Sequence, residues 1–354
     1  MSAITDPALQ TLVQPFEQGL LSFPAAPARA AFLRARAGID ANSLDSSRLD
    51  CDQSFKPWAD ELERAGMHLA PQWDASYPLV LVLPPRQREE ARATLARAVQ
   101  LAGPDGVVVS CQHNDEGART MLSDLTALTG AGVRNLSKSH CRVAWSVPGE
   151  RQIDQALLSQ WLKLDAPRAI LDGRVQSRPG LFAWDRIDPA SALLAQSLPK
   201  DLKGVGADLG AGYGYLSHAI LSAYPQVTGF DIYEAELRAL DLARINLAPW
   251  AETRPLHFEW HDVCAGLPRQ YDFLVSNPPF HQGRADQPLI GAGFIRAAAK
   301  ALRPGGRFFM VANQHLPYEG VMQSSFASVR PVIVAKGFKV LEGSQRSEKR
   351  AGAR

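Results

Sequence analysis

The segment YDFLVSNPPFHQ (271–282) runs an apolar strand directly into Asn277, Pro278, Pro279 and Phe280. Neither proline has a backbone N–H to donate, so a buried strand must stop there. At its end stand an amide carbonyl, a main-chain carbonyl held in a fixed direction, and an aromatic ring. Asn277 and Pro278 can together accept two N–H bonds from a planar amine and aim its lone pair at an electrophilic methyl group. The rigid proline pair reduces the freedom that such an orientation must freeze out. Phe280 can stack on the ring bearing the amine, an interaction worth roughly 1–3 kcal/mol. A similar phrase, YPLVLVLPPRQ (77–87), keeps the two prolines but has Leu83 and Arg86 where the amide and the ring would be.

A second constellation lies upstream. ADLGAGYGYLS (207–217) ends a strand and opens a helix, and Gly210, Gly212 and Gly214 permit a tight turn with close approach of a ligand to the backbone. Glycines alone leave three readings open: a dinucleotide site, a methyl-donor site or an empty turn. Asp208, two residues ahead of Gly210, weighs against the first. A carboxylate there repels a pyrophosphate and suits the positively charged amino acid end of S-adenosylmethionine. Asp231 is expected to end the next strand, about 20 residues on, where an acid accepts from ribose hydroxyls. Asp262 is expected to end a third strand and to accept from an adenine amine, with Val263 giving a backbone contact. Alone, Asp262 would be a cap or a turn residue. Three acids at three successive strand ends fall on the side where open α/β sheets bind ligands.

These residues need parallel strands to hold them, and the chain supplies the pattern twice. LVLVL (79–83), a helix over 88–103, GVVVS (106–110) and RVAWSVPG (142–149) form one α/β series, and a helix over 152–166 leads out of it. In the second series, a strand with its glycine-rich turn over 204–212 and strands over 226–233, 256–262, 271–277 and 307–313 alternate with helices over 215–225, 235–249 and 293–306. The last strand is expected at 332–343. Residues 1–60 read as mainly helical, with ARAAFLRARAG (28–38) at helical spacing. Two matching blocks in the same order indicate duplication. The expected division is a degenerate domain over 1–165, a catalytic domain over 166–343 and a basic disordered tail over 344–354.

The bulk composition constrains partners weakly. The chain has 354 residues, 46% hydrophobic and 21% charged, with a net charge of +2, which fits a two-domain globular protein. Its four cysteines show no metal-ligand spacing, so no metal is expected. No basic, apolar leader opens the chain, and no apolar run reaches membrane-spanning length. A cytoplasmic monomer is the expectation. Arg29, Arg34 and Arg36 are expected on one helix face, and Lys138 and Arg142 near the first sheet, as basic patches suited to phosphate.

DLGAGYG, Asp231, Asp262 and NPPF, in this order, resemble a class I S-adenosylmethionine-dependent methyltransferase acting on planar amines. RPGLFAWDRIDPASALL (178–194), NPPFHQG (277–283) and VANQHLPYEGVMQSSF (311–326) are similar to the bacterial ribosomal RNA guanine-N2 methyltransferases. The resemblance implies two tandem Rossmann-like α/β domains, the N-terminal one degenerate. It implies donor binding by Asp208, Gly210, Gly212, Asp231 and Asp262, amine positioning by Asn277, Pro278 and Pro279, and stacking by Phe280. PGLF (179–182) and Asp188 lie where such enzymes close over donor and base. Small-subunit 16S RNA is favoured over 23S. The competing readings are an adenine-N6 or other amine methyltransferase, a protein-glutamine variant that carries NPPY, a nicotinamide-dependent oxidoreductase, and a non-catalytic RNA-binding protein retaining a donor pocket.

Overall fold

The computed structural model describes residues 6–40, 43–70, 73, 76–147, 149–279, 281–282, 285–286 and 288–347. Phe280, Arg284 and the tail beyond 347 therefore lie outside the described residues. The chain forms two compact units, residues 1–167 with 178–180 and residues 168–177 with 181–354.

In the first unit the strands are β1 (Ala30–Leu33), β2 (Leu49–Asp52), β3 (His68–Leu69), β4 (Leu79–Val82), β5 (Val107–His113), β6 (Val133–Lys138) and β7 (Cys141–Ser146). Helices α1 (Pro7–Leu12), α2 (Gln14–Glu17), α3 (Lys56–Arg64), α4 (Arg88–Ala102), α5 (Ala118–Thr129) and α6 (Gln155–Trp161) accompany them. The second unit begins with the hairpin β8 (Arg168–Ile170) and β9 (Val175–Ser177). There follow β10 (Gly204–Leu209), β11 (Val227–Glu234), β12 (Leu256–Trp260), β13 (Tyr271–Ser276), the short pair β14 (His281–Gln282) and β15 (Ala285–Asp286), β16 (Leu302–Asn313), β17 (Ser328–Ala335) and β18 (Phe338–Ser344). Its helices are α7 (Pro189–Ser197), α8 (Tyr215–Ala223), α9 (Leu237–Ala251), α10 (Pro288–Ala301) and α11 (Glu319–Ser325).

The two large sheets have one topology. Their orders are β3-β2-β1-β4-β5-β7-β6 and β12-β11-β10-β13-β16-β18-β17. In each, the first five strands run parallel, and the sixth position is antiparallel to the fifth. Buried on both faces, such strands read as unbroken apolar runs. Leu274, Phe308 and Met310 pack with α10 residues, whereas Phe273, Val275, Phe309 and Val311 pack with α7, α8 and α9.

Three expectations fail here. ARAAFL is not helical: Ala30–Leu33 is β1, fully buried beside β4. Its alanines and its length hide the difference between a buried strand and a buried helical turn. The arginines around it form no basic helix face, because Arg29 pairs with Asp50, Arg34 with Glu90 and Arg36 with Asp6. The run 332–343 is not one strand but parts of β17 and β18, joined at Lys336 (φ 55°) and Gly337 (φ 80°). Two left-handed residues in succession make the two-residue turn that twisted antiparallel strands favour.

One polar network crosses the core of the second unit. Tyr271 donates its hydroxyl to Asp231 Oδ2 at 2.6 Å, the hydroxyls of Tyr233 and Tyr271 are 2.6 Å apart, and Arg269 donates to the same Asp231 oxygen at 2.8 Å. Removing one partner leaves buried polar atoms unmatched. Tyr271→Phe is expected to lower unfolding free energy by about 1–3 kcal/mol in urea denaturation followed by circular dichroism.

Candidate functional site

The cleft at the carboxyl ends of β10 and β13 arises from the strand order, which reverses between these neighbours. It holds about 440 Å³ of open space and is lined by Asp208, Gly210 to Tyr213, Tyr215, Leu216 and Asn277, with Phe182, Ala183, Asp188 and Ser191 on the other wall.

The glycine turn follows β10 without a break. Gly210, Gly212 and Gly214 have φ of 75°, 58° and 91°, values that side-chain-bearing residues rarely adopt. A Cβ on Gly212 would meet nothing within 4 Å, so the backbone there faces open space. The amides of Gly210 and Ala211 both bond the carbonyl of Tyr233 in β11.

Two acids stand at this turn. Asp208, 1% exposed, accepts from Ser217 Oγ at 2.7 Å. Burial, opposed in part by that hydrogen bond and aided by the nearby Glu234, pushes its carboxyl up to about 7. Glu234, the last residue of β11, accepts from the Gly212 amide at 2.7 Å and from the Glu236 amide at 2.8 Å. Desolvation raises its pKa also.

Asp231 does not occupy the strand end expected of it. β11 continues three residues past it, because Ile232 and Tyr233 are both fully buried and extend the apolar run. The carboxylate turns toward Tyr271 and Arg269 and lines a different hollow, with Val205, Thr228 and Arg303. Glu234 holds the position assigned to Asp231, and the signal for it was the second acid in FDIYE. Asp262 follows β12 and caps a short 3₁₀ turn, its Oδ1 accepting from the Cys264 amide at 2.9 Å. Val263 is buried in the core beneath α10.

At the end of β13, Asn277 is held by two hydrogen bonds. Its Nδ2 donates to Asp188 Oδ2 and to Ser191 Oγ, both at 2.8 Å. A carboxylate can only accept, so the amide nitrogen must face it, and Oδ1 is the group left to turn elsewhere. Asp188 is held in turn as the N-cap of α7, accepting from the Ser191 amide at 2.8 Å. Neither Ser191 nor Ser217 was singled out by sequence, since an isolated serine in a helix carries no signal. Pro278 is buried and Pro279 exposed. Phe182, by contrast, leaves 70% of its surface exposed at the cleft wall.

The first unit shows what the same scaffold does without these residues. Leu83 follows β4 as Asn277 follows β13, and β1 leads into Arg34 (φ 54°) with no glycine turn. Gln112 Nε2 donates to the carbonyls of Pro84, Pro85 and Glu116 at 3.3, 3.0 and 2.9 Å. The proline carbonyls of this copy already hold a planar –NH₂ group from their own chain.

Residues 172–342 match the family model described as the methyltransferase small domain. Among curated proteins, the chain is similar to the ribosomal RNA small subunit methyltransferase C of Psychromonas ingrahamii, 25% identical over 310 residues that cover 86% of this chain and 87% of that protein. The protein of the same description from Shewanella sp. strain MR-4 is 28% identical over 310 residues, covering 82% and 87%. Among solved structures, the T. thermophilus 16S rRNA N2 G1207 methyltransferase, in complex with AdoMet and guanosine, superposes with a TM-score of 0.78 at 24% identity. That match spans 98% of this chain and 93% of the other, so the likeness of fold extends over both halves. The cleft between β10 and β13 lies within the segment that matches the methyltransferase small domain.

Proposed function

We propose that the protein transfers a methyl group from S-adenosylmethionine to the exocyclic N2 amine of a guanine in small-subunit ribosomal RNA. The observation that carries this reading is the fixed amide of Asn277, whose nitrogen is bound by Asp188 and Ser191 so that its oxygen is available to accept from an amine. The names of the curated relatives supply the RNA, and that of the structural neighbour the guanine N2.

The residues of the cleft fit the donor. Asp208 and Glu234 are two desolvated acids whose mutual repulsion a cationic ligand relieves, and the open backbone at Gly212 permits close approach. Asp208 faces the donor's amino acid end, Glu234 takes the ribose hydroxyls in place of Asp231, and Asp262 with Val263 receives the adenine. When bound, the donor supplies a methyl on a sulfonium, which is already activated. The chain's own part is orientation: Asn277 Oδ1 and the Pro278 carbonyl accept the two amine N–H groups, and Pro279 stiffens the exit. Phe280, outside the described residues, remains the proposed stacking partner of the base. The target base must leave its stack to reach these groups. The domain over 1–165 has neither a glycine turn nor an unoccupied proline carbonyl pair, and its proposed role is to position RNA.

The deciding experiment supplies labelled S-adenosylmethionine to separate unmodified small and large ribosomal subunits, followed by nucleoside analysis. Label is expected as N2-methylguanosine on the small subunit alone, and Asn277→Ala is expected to lower transfer by roughly 100-fold or more. Label on N6-methyladenosine, or on the large subunit, would overturn the substrate assigned.

Donor affinity should also report the charge of Asp208. Because its carboxyl titrates at about 7 in the free protein, donor binding is expected to weaken as pH falls from 8 to 6, and Asp208→Asn to flatten that dependence while weakening binding throughout. The sign for stability is opposite. The folded state holds a proton that the unfolded chain releases near pH 4, so stability is full below that pH and declines as pH rises through about 7. Asp208→Asn should therefore melt higher than the parent at pH 8 without donor, and calorimetry at both pH values checks this.

A further inference from the structure

The proposed donor cleft has two walls, the glycine turn and the segment after β9 that carries Phe182, Ala183 and Asp188. A side chain outside the cleft holds the turn to β9. Asn246, in α9 and 8% exposed, accepts at Oδ1 from the Gln176 amide at 2.7 Å. Its Nδ2 donates to the Gln176 carbonyl at 2.9 Å and to the Tyr213 carbonyl at 2.8 Å. Both amide hydrogens and the carbonyl are thus engaged with main chain.

The turn depends on such support because its glycines have no side chains to pack. Its amides are anchored on β11: Gly210 and Ala211 bond the Tyr233 carbonyl, and Gly212 bonds Glu234. The Tyr213 carbonyl, between two residues with positive φ, is fixed from the opposite direction by Asn246. We propose that Asn246 is a positioning residue for the methyl donor, fixing the glycine turn against β9 so that the donor meets a preformed cleft. This rests on the donor-site reading above.

The amide's polarity makes the test specific. Asn246→Ala removes three hydrogen bonds and leaves a gap. Asn246→Asp keeps the shape but turns an acceptor toward two carbonyls until the carboxyl takes up a proton. Gln176→Pro deletes one of the three bonds without touching Asn246. In the full-length protein, Asn246→Ala is expected to raise the KM for S-adenosylmethionine and the calorimetric Kd for S-adenosylhomocysteine by about tenfold, with kcat at saturating donor within about threefold of the parent. Gln176→Pro is expected to shift both in the same direction by a smaller factor. Asn246→Asp is expected to bind more weakly than Asn246→Ala at pH 8 and to approach it as pH falls, a ratio in which the titration of Asp208 cancels. Hydrogen exchange at 210–216 in the ligand-free Ala variant is expected to quicken.

Parent-like affinity and parent-like exchange in folded Asn246→Ala would overturn the proposal, as would a fall in kcat with KM unchanged. Should the Asp variant fail to fold, the Ala and Gln176→Pro variants decide. Absence of donor binding by the parent protein would instead overturn the donor-site reading itself.

Discussion

A carboxylate buried near the end of β10 constrains the rest of the second unit. Asp208 is nearly inaccessible and accepts from Ser217, with a second acid at the same turn. Burying unpaired charge is unfavourable, and here the group responds by holding its proton near neutrality. Such an arrangement makes little sense for stability alone, but it suits a cation that arrives with its own charge. The glycine turn, the Glu234 contact to its backbone and the amide clamp from α9 all act to keep that surface open and fixed. Stability is given up where the ligand will restore it.

The two halves separate scaffold from chemistry. Their strand orders are the same, and both carry a Pro-Pro exit at the fourth position of the sheet. Topology therefore contributes the edge where ligands can bind, and nothing more. What differs is a handful of side chains: Asn277 against Leu83, a glycine turn against Arg34, and carbonyls closed by Gln112. The closed copy is informative about the open one, because it shows that the paired proline carbonyls accept a planar –NH₂ group.

Much of this was legible in sequence for physical reasons, and so were its failures. Parallel strands buried on both faces give runs such as FLVS and FFMVA that few other elements produce, and the glycine and proline motifs mark where those runs must end. The acid at the end of FDIYE was misplaced because Asp231 was taken to close the strand, while β11 runs through the buried Ile232 and Tyr233 to Glu234. AAFL was misread because alanine suits a helix as well as a tightly packed central strand. Pairings between distant residues left no local trace. Arg29, Arg34 and Arg36 look like a basic face until Asp50, Glu90 and Asp6 are placed beside them. Net charge counts cannot distinguish an arginine that awaits phosphate from one that already holds a carboxylate.

Three amide side chains show how little chemistry separates support from function. Gln112, Asn246 and Asn277 are each partly or wholly buried, and each donates through its nitrogen to fixed oxygens. An amide is suited to this because it carries donor and acceptor at fixed directions without a charge to desolvate. Gln112 spends its nitrogen on the proline carbonyls and closes them. Asn246 engages nitrogen and oxygen with main chain, and so can only position. Asn277 has its nitrogen held by a carboxylate and a hydroxyl, which leaves one oriented acceptor at the cleft. The difference between a closed copy and an open one thus lies in which end of an amide the neighbouring oxygens have already claimed.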